Sequence, residues 1–119
     1  MKKVLLSLIL LLFAFTGSAL AENTLPRPDT VTMIDLGAKS CIPCKMMAPI
    51  LEKLEAEYHG KADVVFIDVW QNPDEGPKYG IKAIPTQIFY NRKGEEVTRH
   101  EGFLDETTIR EKLDKLLVE

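Results

Sequence analysis

The chain has 119 residues, of which 45% are hydrophobic and 28% charged, and its formal net charge is −3. This length allows one domain with a substantial hydrophobic core and is too short for two ordinary domains. The acidic balance, with no block of like charges, argues against the basic surface that binds nucleic acid. We therefore expect a single globular domain with no nucleic-acid partner.

Residues 1–21 have the pattern of a secretory signal peptide. Two lysines precede an apolar run over residues 4–15, and the segment ends with the small side chains Ala19 and Ala21, which signal peptidase accommodates. The apolar run is shorter than the roughly 20 residues of a membrane span. An uncleaved anchor is the alternative if the span extends through residue 20. We expect cleavage after Ala21 and a periplasmic or other extracytoplasmic location, where disulfides persist.

The beginning of the mature chain predicts one strand and one helix. Residues 22–30 contain two prolines and are interpreted as an extended lead-in, and residues 31–36 have the apolar density of a buried strand. From Pro43 to about residue 60, apolar positions recur at helical intervals with charged residues between them. This segment is therefore predicted to form an amphipathic helix with one face on the core.

The rest of the chain predicts three strands, a short helical or irregular stretch, a hairpin turn and a final helix. The strands cover residues 62–70, 87–90 and 95–101, the turn covers 91–94, and the short stretch runs from 72 to 80. Asp105 can cap the final helix, whose core positions would be Ile109, Leu113, Leu116 and Leu117. A right-handed crossover would pair the first two strands in parallel, and the hairpin adds antiparallel strands. This order predicts an α/β fold with a mixed four-stranded sheet flanked by helices.

The chain has only two cysteines, Cys41 and Cys44, separated by Ile42 and Pro43. A disulfide between them would close such a short loop that it would constrain the unfolded chain little. A structural zinc site needs four ligands, and the two isolated histidines of the chain do not complete one. At a strand-to-helix junction, this spacing is instead typical of a redox-active pair.

The start of the predicted helix gives each cysteine a separate role. Unpaired N–H groups and the positive end of the helix dipole favour the thiolate of Cys41, which makes it the attacking residue. Cys44 lies one turn further into the helix, close enough to resolve a mixed disulfide but more buried. Pro43 suits the first helical turn, where a missing donor costs least. No cofactor is expected beyond the redox-active disulfide of Cys41 and Cys44.

A longer set of sequence features resembles the thioredoxin family. Residues 41–51, with the sequence Cys-Ile-Pro-Cys-Lys-Met-Met-Ala-Pro-Ile-Leu, are similar to the active-site helix of that family. Later landmarks of the family occur here in the same order, namely Asn72-Pro73, Tyr79-Gly80-Ile81, Ile84-Pro85-Thr86, Asn91 to Glu95 and Gly102. The resemblance covers residues 31–119 and implies a thioredoxin fold with thiol-disulfide oxidoreductase activity.

The resemblance also implies roles for residues outside the cysteine motif. Pro85 matches the proline that is cis in this family and faces the two cysteines, and with Ile84 it would pair with a substrate segment as a short added strand. Asp35 matches the buried aspartate of the family, which would accept the proton of Cys44 when that sulfur attacks. A plain proline at a strand start and an Asp35 that faces solvent are the alternatives.

Several positions depart from the family pattern. Ser40 and Ile42 replace the tryptophan and glycine of thioredoxins proper, so the substrate surface that Ile42 and Pro43 help to form is changed. Phe66 stands where the family has a lysine near the buried aspartate, which would leave Asp35 less compensated. The first strand and helix of the family are expected to be absent, because few residues separate the predicted cleavage site from the first predicted strand. The resemblance therefore implies a minimal thioredoxin fold.

Two functions are open at this point. The first is an exported, monomeric reductase of client protein disulfides that a membrane thiol-disulfide electron donor keeps reduced. Pro43, before the second cysteine, is similar to the residue found in reducing members of the family. The second is a carrier that binds Cu(I) or another soft metal through both thiolates. Against the carrier, the chain lacks a methionine two residues before Cys41, which the metal-chaperone pattern has.

Overall fold

The computed structural model describes residues 24–119, so the predicted signal peptide and the first residues of the lead-in lie outside the described residues. Strands and helices follow one another in the predicted order. Their bounds are β1 (Val31–Gly37), α1 (Ile42–Glu57), β2 (Ala62–Asp68), α2 (Glu75–Tyr79), β3 (Thr86–Tyr90), β4 (Glu96–Glu101) and α3 (Glu106–Leu117). Within the described residues, no helix has the length and apolar character that crossing a bilayer requires.

The four strands form one mixed sheet in the order β2-β1-β3-β4. β1 pairs in parallel with β2, while β3 runs antiparallel to both β1 and β4. The central strands β1 and β3 are buried along their whole length, whereas β4 is exposed or half-buried at the edge of the sheet. The predicted α/β fold, a mixed four-stranded sheet flanked by helices, is confirmed.

The hydrophobic core has two halves, one on each face of the sheet. Side chains of β1 contribute to both halves, because successive side chains of a strand point to opposite faces of the sheet. Met33 packs on one face with Met47 of α1 and with the apolar stripe of α3. Ile34 packs on the other face, against Tyr79 of α2. Asp35 takes the same face as Met33, and so its carboxyl group lies on the side of the sheet that α1 and α3 cover.

The ends of two elements depend on aspartate side chains. β2 ends at Asp68, two residues earlier than predicted, because the Asp68 carboxylate accepts the N–H of Trp70 at 2.9 Å and turns the chain out of the sheet. Asp105 caps α3 as predicted, by accepting the N–H of Thr108 at 3.0 Å. Both carboxylates use backbone donors that strand or helix bonding leaves unpaired.

Candidate active site

The Cys41–Cys44 pair lies where β1 ends and α1 begins. Cys41 is the N-cap residue of α1, with an extended backbone (φ −75°, ψ 130°), and its Sγ accepts the N–H of Cys44 at 3.4 Å. The two cysteines are joined by a disulfide, with their Cα atoms 5.1 Å apart. Pro43 occupies the first turn of the helix, and that turn contains no acidic residue. A thiolate at Cys41 would therefore be stabilised by N–H groups without a competing negative charge in the same turn.

The two sulfur-bearing residues differ in exposure. Cys41 is half-buried and is followed by Ile42, which is 76% accessible, whereas Cys44 is only 4% accessible. An incoming disulfide can therefore reach Cys41 much more easily than Cys44. This difference favours Cys41 as the attacking cysteine and Cys44 as the resolving one.

Gly37, the last residue of β1, allows the start of α1 to approach the sheet closely. A Cβ atom at this position would lie 3.1 Å from Sγ of Cys44 and 3.4 Å from the ring of Phe66. The first distance is below the ordinary van der Waals separation of such atoms. Cys44 thus packs directly against the backbone of the central strand, on the face that also carries Asp35.

Replacing Gly37 with alanine should lower the free energy of unfolding of the oxidised protein by about 1–3 kcal/mol, because the new methyl group would press on Cys44 and Phe66. Chemical denaturation of both proteins measures the difference, provided that the m-values agree. Gly76→Ala is the control, since its Cβ would meet Ile81 at 3.8 Å, an ordinary contact. Equal stability of Gly37→Ala and the wild type would contradict this close packing.

The Ile84–Pro85 segment lies at the same end of the sheet as the cysteines. Because β3 begins at Thr86 and runs antiparallel to β1, Pro85 is placed beside Gly37. The Ile84–Pro85 peptide bond is cis, Pro85 is buried and Ile84 is half-buried. The carbonyl of Pro85 accepts the N–H of Gly102 at 2.7 Å, which ties the segment to the end of β4. The structure therefore brings the predicted substrate-binding segment and the redox pair together.

Asp35 lies on the face of β1 that α1 and α3 cover, and it is 0% accessible. The alternative in which Asp35 faces solvent is therefore wrong. Burial raises the pKa of this carboxyl from 3.8 to about 6, while a hydrogen bond from Gln87 acts in the opposite direction. Oδ1 accepts that bond at 2.9 Å, whereas Oδ2 is buried and has no hydrogen-bond partner among the described residues. An acid with a pKa near 6 can take up and release a proton at neutral pH.

Gln87 is a site residue that the sequence interpretation missed. It is 0% accessible and pairs with Asp35 across β1 and β3, so that its amide reaches the carboxylate. Phe66 pairs with Asp35 from β2, on the other side, and supplies no polar partner there. In place of the β2 lysine of the family pattern, Asp35 therefore has a neutral hydrogen-bond donor on β3, the amide of Gln87. The clue in the sequence was a glutamine at the start of an otherwise apolar strand, directly after the proline landmark.

Exposed apolar side chains surround the redox pair. Ile42 and Met46 project from the first turns of α1, at 76% and 52% accessibility. Trp70 is 59% accessible and follows β2, whose last residues lie beside those of the parallel strand β1. Trp70 is therefore a surface residue. Between α1 and β2, a separate cavity of about 360 Å³ has Cys44 and Phe66 in its walls.

Metal-ligating residues do not cluster in the part of the chain that the structure describes. Groups of three or more histidine, cysteine, aspartate or glutamate side chains with metal-binding geometry do not occur within residues 24–119. His59 follows α1, whereas His100 lies on β4 with its Nδ1 3.1 Å from Oε1 of Gln87. In their reduced form, Cys41 and Cys44 offer two sulfur ligands.

Similarity to known proteins extends over most of the chain. The sequence profile of the family described as Thioredoxin matches residues 16–115, a range that includes both cysteines, Asp35 and the Ile84–Pro85 segment. The chain belongs to the thioredoxin family. This thioredoxin-family protein is 44% identical to a thioredoxin of Staphylococcus aureus over 87 residues, which cover 73% of this chain and 83% of that protein.

Solved thioredoxin structures resemble the fold as well as the sequence. Chloroplastic thioredoxin z matches with a TM-score of 0.68 and 32% identity, over 76% of this chain and 81% of the other. Thioredoxin of Fasciola hepatica matches with a TM-score of 0.65 and 32% identity, over 75% and 83% of the two chains. Together with the Cys41–Cys44 disulfide, these similarities identify the protein as a thiol-disulfide oxidoreductase, and that prediction is confirmed.

Proposed function

We propose that this thioredoxin-family protein is an exported reductase of protein disulfides. The observation that carries the proposal is the difference between its two cysteines, since Cys41 is reachable at the N-cap of α1 and Cys44 is buried behind it. A reachable cysteine whose thiolate is favoured suits attack on a disulfide of another protein. A buried partner within bonding distance suits release of the reduced product.

The proposed reaction transfers two electrons to the client in two exchange steps. The Cys41 thiolate attacks one sulfur of the client disulfide, forms a mixed disulfide and releases the other client sulfur as a thiolate. Cys44 then gives up its proton, attacks Sγ of Cys41 and releases the second client thiolate, which leaves the Cys41–Cys44 disulfide. A membrane thiol-disulfide donor returns two electrons to this disulfide and completes the cycle.

Asp35 is proposed as the acceptor of the Cys44 proton. It shares a face of β1 with Gly37, and Cys44 packs against Gly37. Its pKa of about 6 leaves it mostly ionised at neutral pH, and its Oδ2 is unpaired among the described residues. A buried carboxylate in this state gains from accepting a proton, because burial disfavours its charge.

The client is proposed to bind along the Ile84–Pro85 segment. An extended client strand can pair with backbone groups there and bring its disulfide over Cys41. Ile42 and Pro43 form the surface on the other side of Cys41, and the 76% accessibility of Ile42 makes it available for apolar contact. Exposed apolar surface of this kind is typical of a site that receives another protein.

The proposed direction of electron transfer and the proposed extracytoplasmic location rest on separate features of the sequence. Pro43 occupies the position where strongly oxidising family members carry a histidine, whose charge stabilises the reduced thiolate. The signal-peptide pattern of residues 1–21 supports the proposal that the chain is exported, cleaved after Ala21 and active outside the cytoplasm. We propose that it acts there as a monomer, with the redox-active disulfide as its only redox group.

The reduction potential of the Cys41–Cys44 pair tests the proposed direction. The mature protein is equilibrated with mixtures of reduced and oxidised glutathione, quenched with acid and analysed by mass spectrometry. We expect a potential near that of thioredoxin, about −270 mV, and a value near the about −120 mV of the strong periplasmic oxidant would overturn the reductase proposal. A tight stoichiometric Cu(I) complex without reduction of insulin would favour the metal carrier instead.

A Cys44→Ala variant, expressed with its N-terminal segment in the native host, tests clients and location together. Without the resolving sulfur, client proteins should remain attached to Cys41 as mixed disulfides that mass spectrometry identifies. The variant that also carries Cys41→Ala is the control and should capture nothing. Adducts with extracytoplasmic proteins would support the proposal, and adducts confined to cytoplasmic proteins would contradict export.

A further inference from the structure

A chain of hydrogen bonds connects the buried acid with the edge of the sheet. Gln87 donates from Nε2 to Oδ1 of Asp35 at 2.9 Å and to the carbonyl of Gly102 at 3.1 Å. Its Oε1 lies 3.1 Å from Nδ1 of His100, which donates to it when Nδ1 carries a proton. Each polar atom of this amide therefore has a partner, and the orientation of the amide is set from both ends.

The two carboxylate oxygens of Asp35 have different surroundings. Oδ1 is held by Gln87, whereas Oδ2 is buried without a partner among the described residues. A buried polar atom without a partner costs free energy and calls for an explanation in its function. Asp35 lies two residues before Gly37 on one face of β1, and Gly37 adjoins Cys44. The unpaired oxygen therefore belongs to the face on which the resolving thiol must lose its proton.

We propose that Gln87 is a positioning residue for the resolving step. Its amide holds Oδ1 of Asp35 and leaves Oδ2 free to accept the proton of Cys44, while His100 prevents the amide from turning over. The inference rests on the proposed disulfide exchange and adds to it the residue that orients the acid. A neutral amide suits this task, because a lysine in its place would stabilise the carboxylate more strongly and make it a weaker base.

Among the described residues, Gln87 alone makes a hydrogen bond to the carboxyl group of Asp35. Phe66 pairs with Asp35 from β2, and Cys44 of α1 packs against Gly37 on the same face of the sheet. α3 contributes the apolar side chains of this core, and its Lys112 lies over the ring of Phe89, with Nζ 5.8 Å from the ring centroid. The pKa of Asp35 responds to burial and to the Gln87 hydrogen bond.

The same network reaches the proposed client-binding segment through Gly102. The N–H of Gly102 donates to the carbonyl of Pro85 at 2.7 Å, and its own carbonyl accepts from Gln87. Gly102 has a φ of +93°, a conformation that glycine adopts without strain. Substitution of Gln87 can therefore disturb both client binding and proton transfer, and the two reaction steps must be measured separately.

Titration of the Asp35 carboxyl group is the first test. Carbon-13 NMR of the labelled protein measures this pKa in the wild type and in Gln87→Met, which removes the amide and keeps an unbranched side chain. Loss of a donor that stabilises the carboxylate should move the pKa upward by about one pH unit. A pKa that stays at the wild-type value would overturn the proposal.

The rate of the resolving step is the second test, with glutathione disulfide as the probe. Acid quench and mass spectrometry follow the mixed disulfide on Cys41 and its conversion into the Cys41–Cys44 disulfide. In Gln87→Met, the pH midpoint of the conversion should move upward by as many pH units as the pKa of Asp35 does. The rate at which the mixed disulfide forms from glutathione disulfide should change by less than about twofold. A midpoint that does not follow the carboxyl pKa would contradict the proposed role.

Variants of the surrounding residues separate positioning from loss of stability. Thr32→Val removes a buried hydroxyl group at the other end of β1, where Oγ1 of Thr32 donates to the carbonyl of Thr30. This variant should leave two midpoints unchanged, the pKa of Asp35 and the pH midpoint of the conversion. His100→Leu should shift them in the same direction as Gln87→Met, and His100→Asn should restore them, because its amide N–H can replace the donor at Nδ1. Equal shifts in all of these variants, Thr32→Val included, would indicate a general structural effect and overturn the proposal.

The carboxyl titration also separates this inference from the proposed function. It requires no client and no reductase activity, so it reports on Gln87 even if the potential of the pair proves to be oxidising. Should Gln87→Met fail to fold, His100→Leu at the sheet edge provides the same comparison through the orientation of the amide. An unchanged Asp35 pKa in a folded His100→Leu variant would then count against the proposal.

Discussion

Replacing Cys41 with serine should reduce the rate of insulin-disulfide reduction on the order of a thousandfold or more. A serine hydroxyl is not ionised at neutral pH, so the N–H groups at the start of α1 would have no anionic nucleophile to stabilise. Turbidity of precipitating insulin chains, with dithiothreitol as the electron source, measures the rate against the uncatalysed background. The fold should be retained, because serine is also a good N-cap residue.

Cys44→Ser and Ser40→Ala provide the comparison for this prediction. Cys44→Ser should still form the mixed disulfide in a single turnover but stop there, because the resolving thiol is missing. Ser40→Ala alters the exposed residue directly before the pair and should keep insulin reduction within about twofold of the wild type. A Cys41→Ser variant that still forms the mixed disulfide would reverse the assignment of the two cysteines.

Replacing Asp35 with asparagine should remove a large part of the pH dependence of stability. The pKa of Asp35 is about 6 in the folded protein, against an ordinary value of 3.8, so the folded state binds more protons between these values. Stability from this group is therefore complete below about pH 4 and is lost as the pH rises to about 6. Each pH unit corresponds to about 1.4 kcal/mol, which makes the loss about 3 kcal/mol in the wild type.

Chemical denaturation of the oxidised proteins at several pH values measures this effect. The difference in free energy of unfolding between Asp35→Asn and the wild type should grow by about 3 kcal/mol in favour of the variant from pH 3 to pH 8. A constant cost of burying the asparagine amide does not alter that change. Asp74→Asn, at an exposed position without a capping hydrogen bond, is the control. Its free energy of unfolding should change with pH in the same way as that of the wild type. Parallel curves for Asp35→Asn would contradict a raised pKa at this position.

Some features of the site could be predicted from the sequence alone, some only from the resemblance to a family, and one could not be predicted. The proposed roles of Cys41 and Cys44 follow from the start of a helix, which is a local property of the chain, and the structure places Cys41 at the N-cap of α1. Burial of Asp35 and the position of Pro85 came from the resemblance to the thioredoxin family. Gln87 was missed because a short apolar strand pattern does not show which neighbouring strand it will face.

By itself, the sequence determined the order of strands and helices, the mixed α/β class and the redox pair, because periodicity, caps and cysteine spacing act over a few residues. Only the tertiary structure decided the partner of Asp35, since the register of β1 and β3 brings together side chains that are 52 positions apart in the chain. It also decided that Cys44 packs on the backbone of Gly37. Such contacts depend on how strands pair and helices pack at long range, which local patterns do not specify.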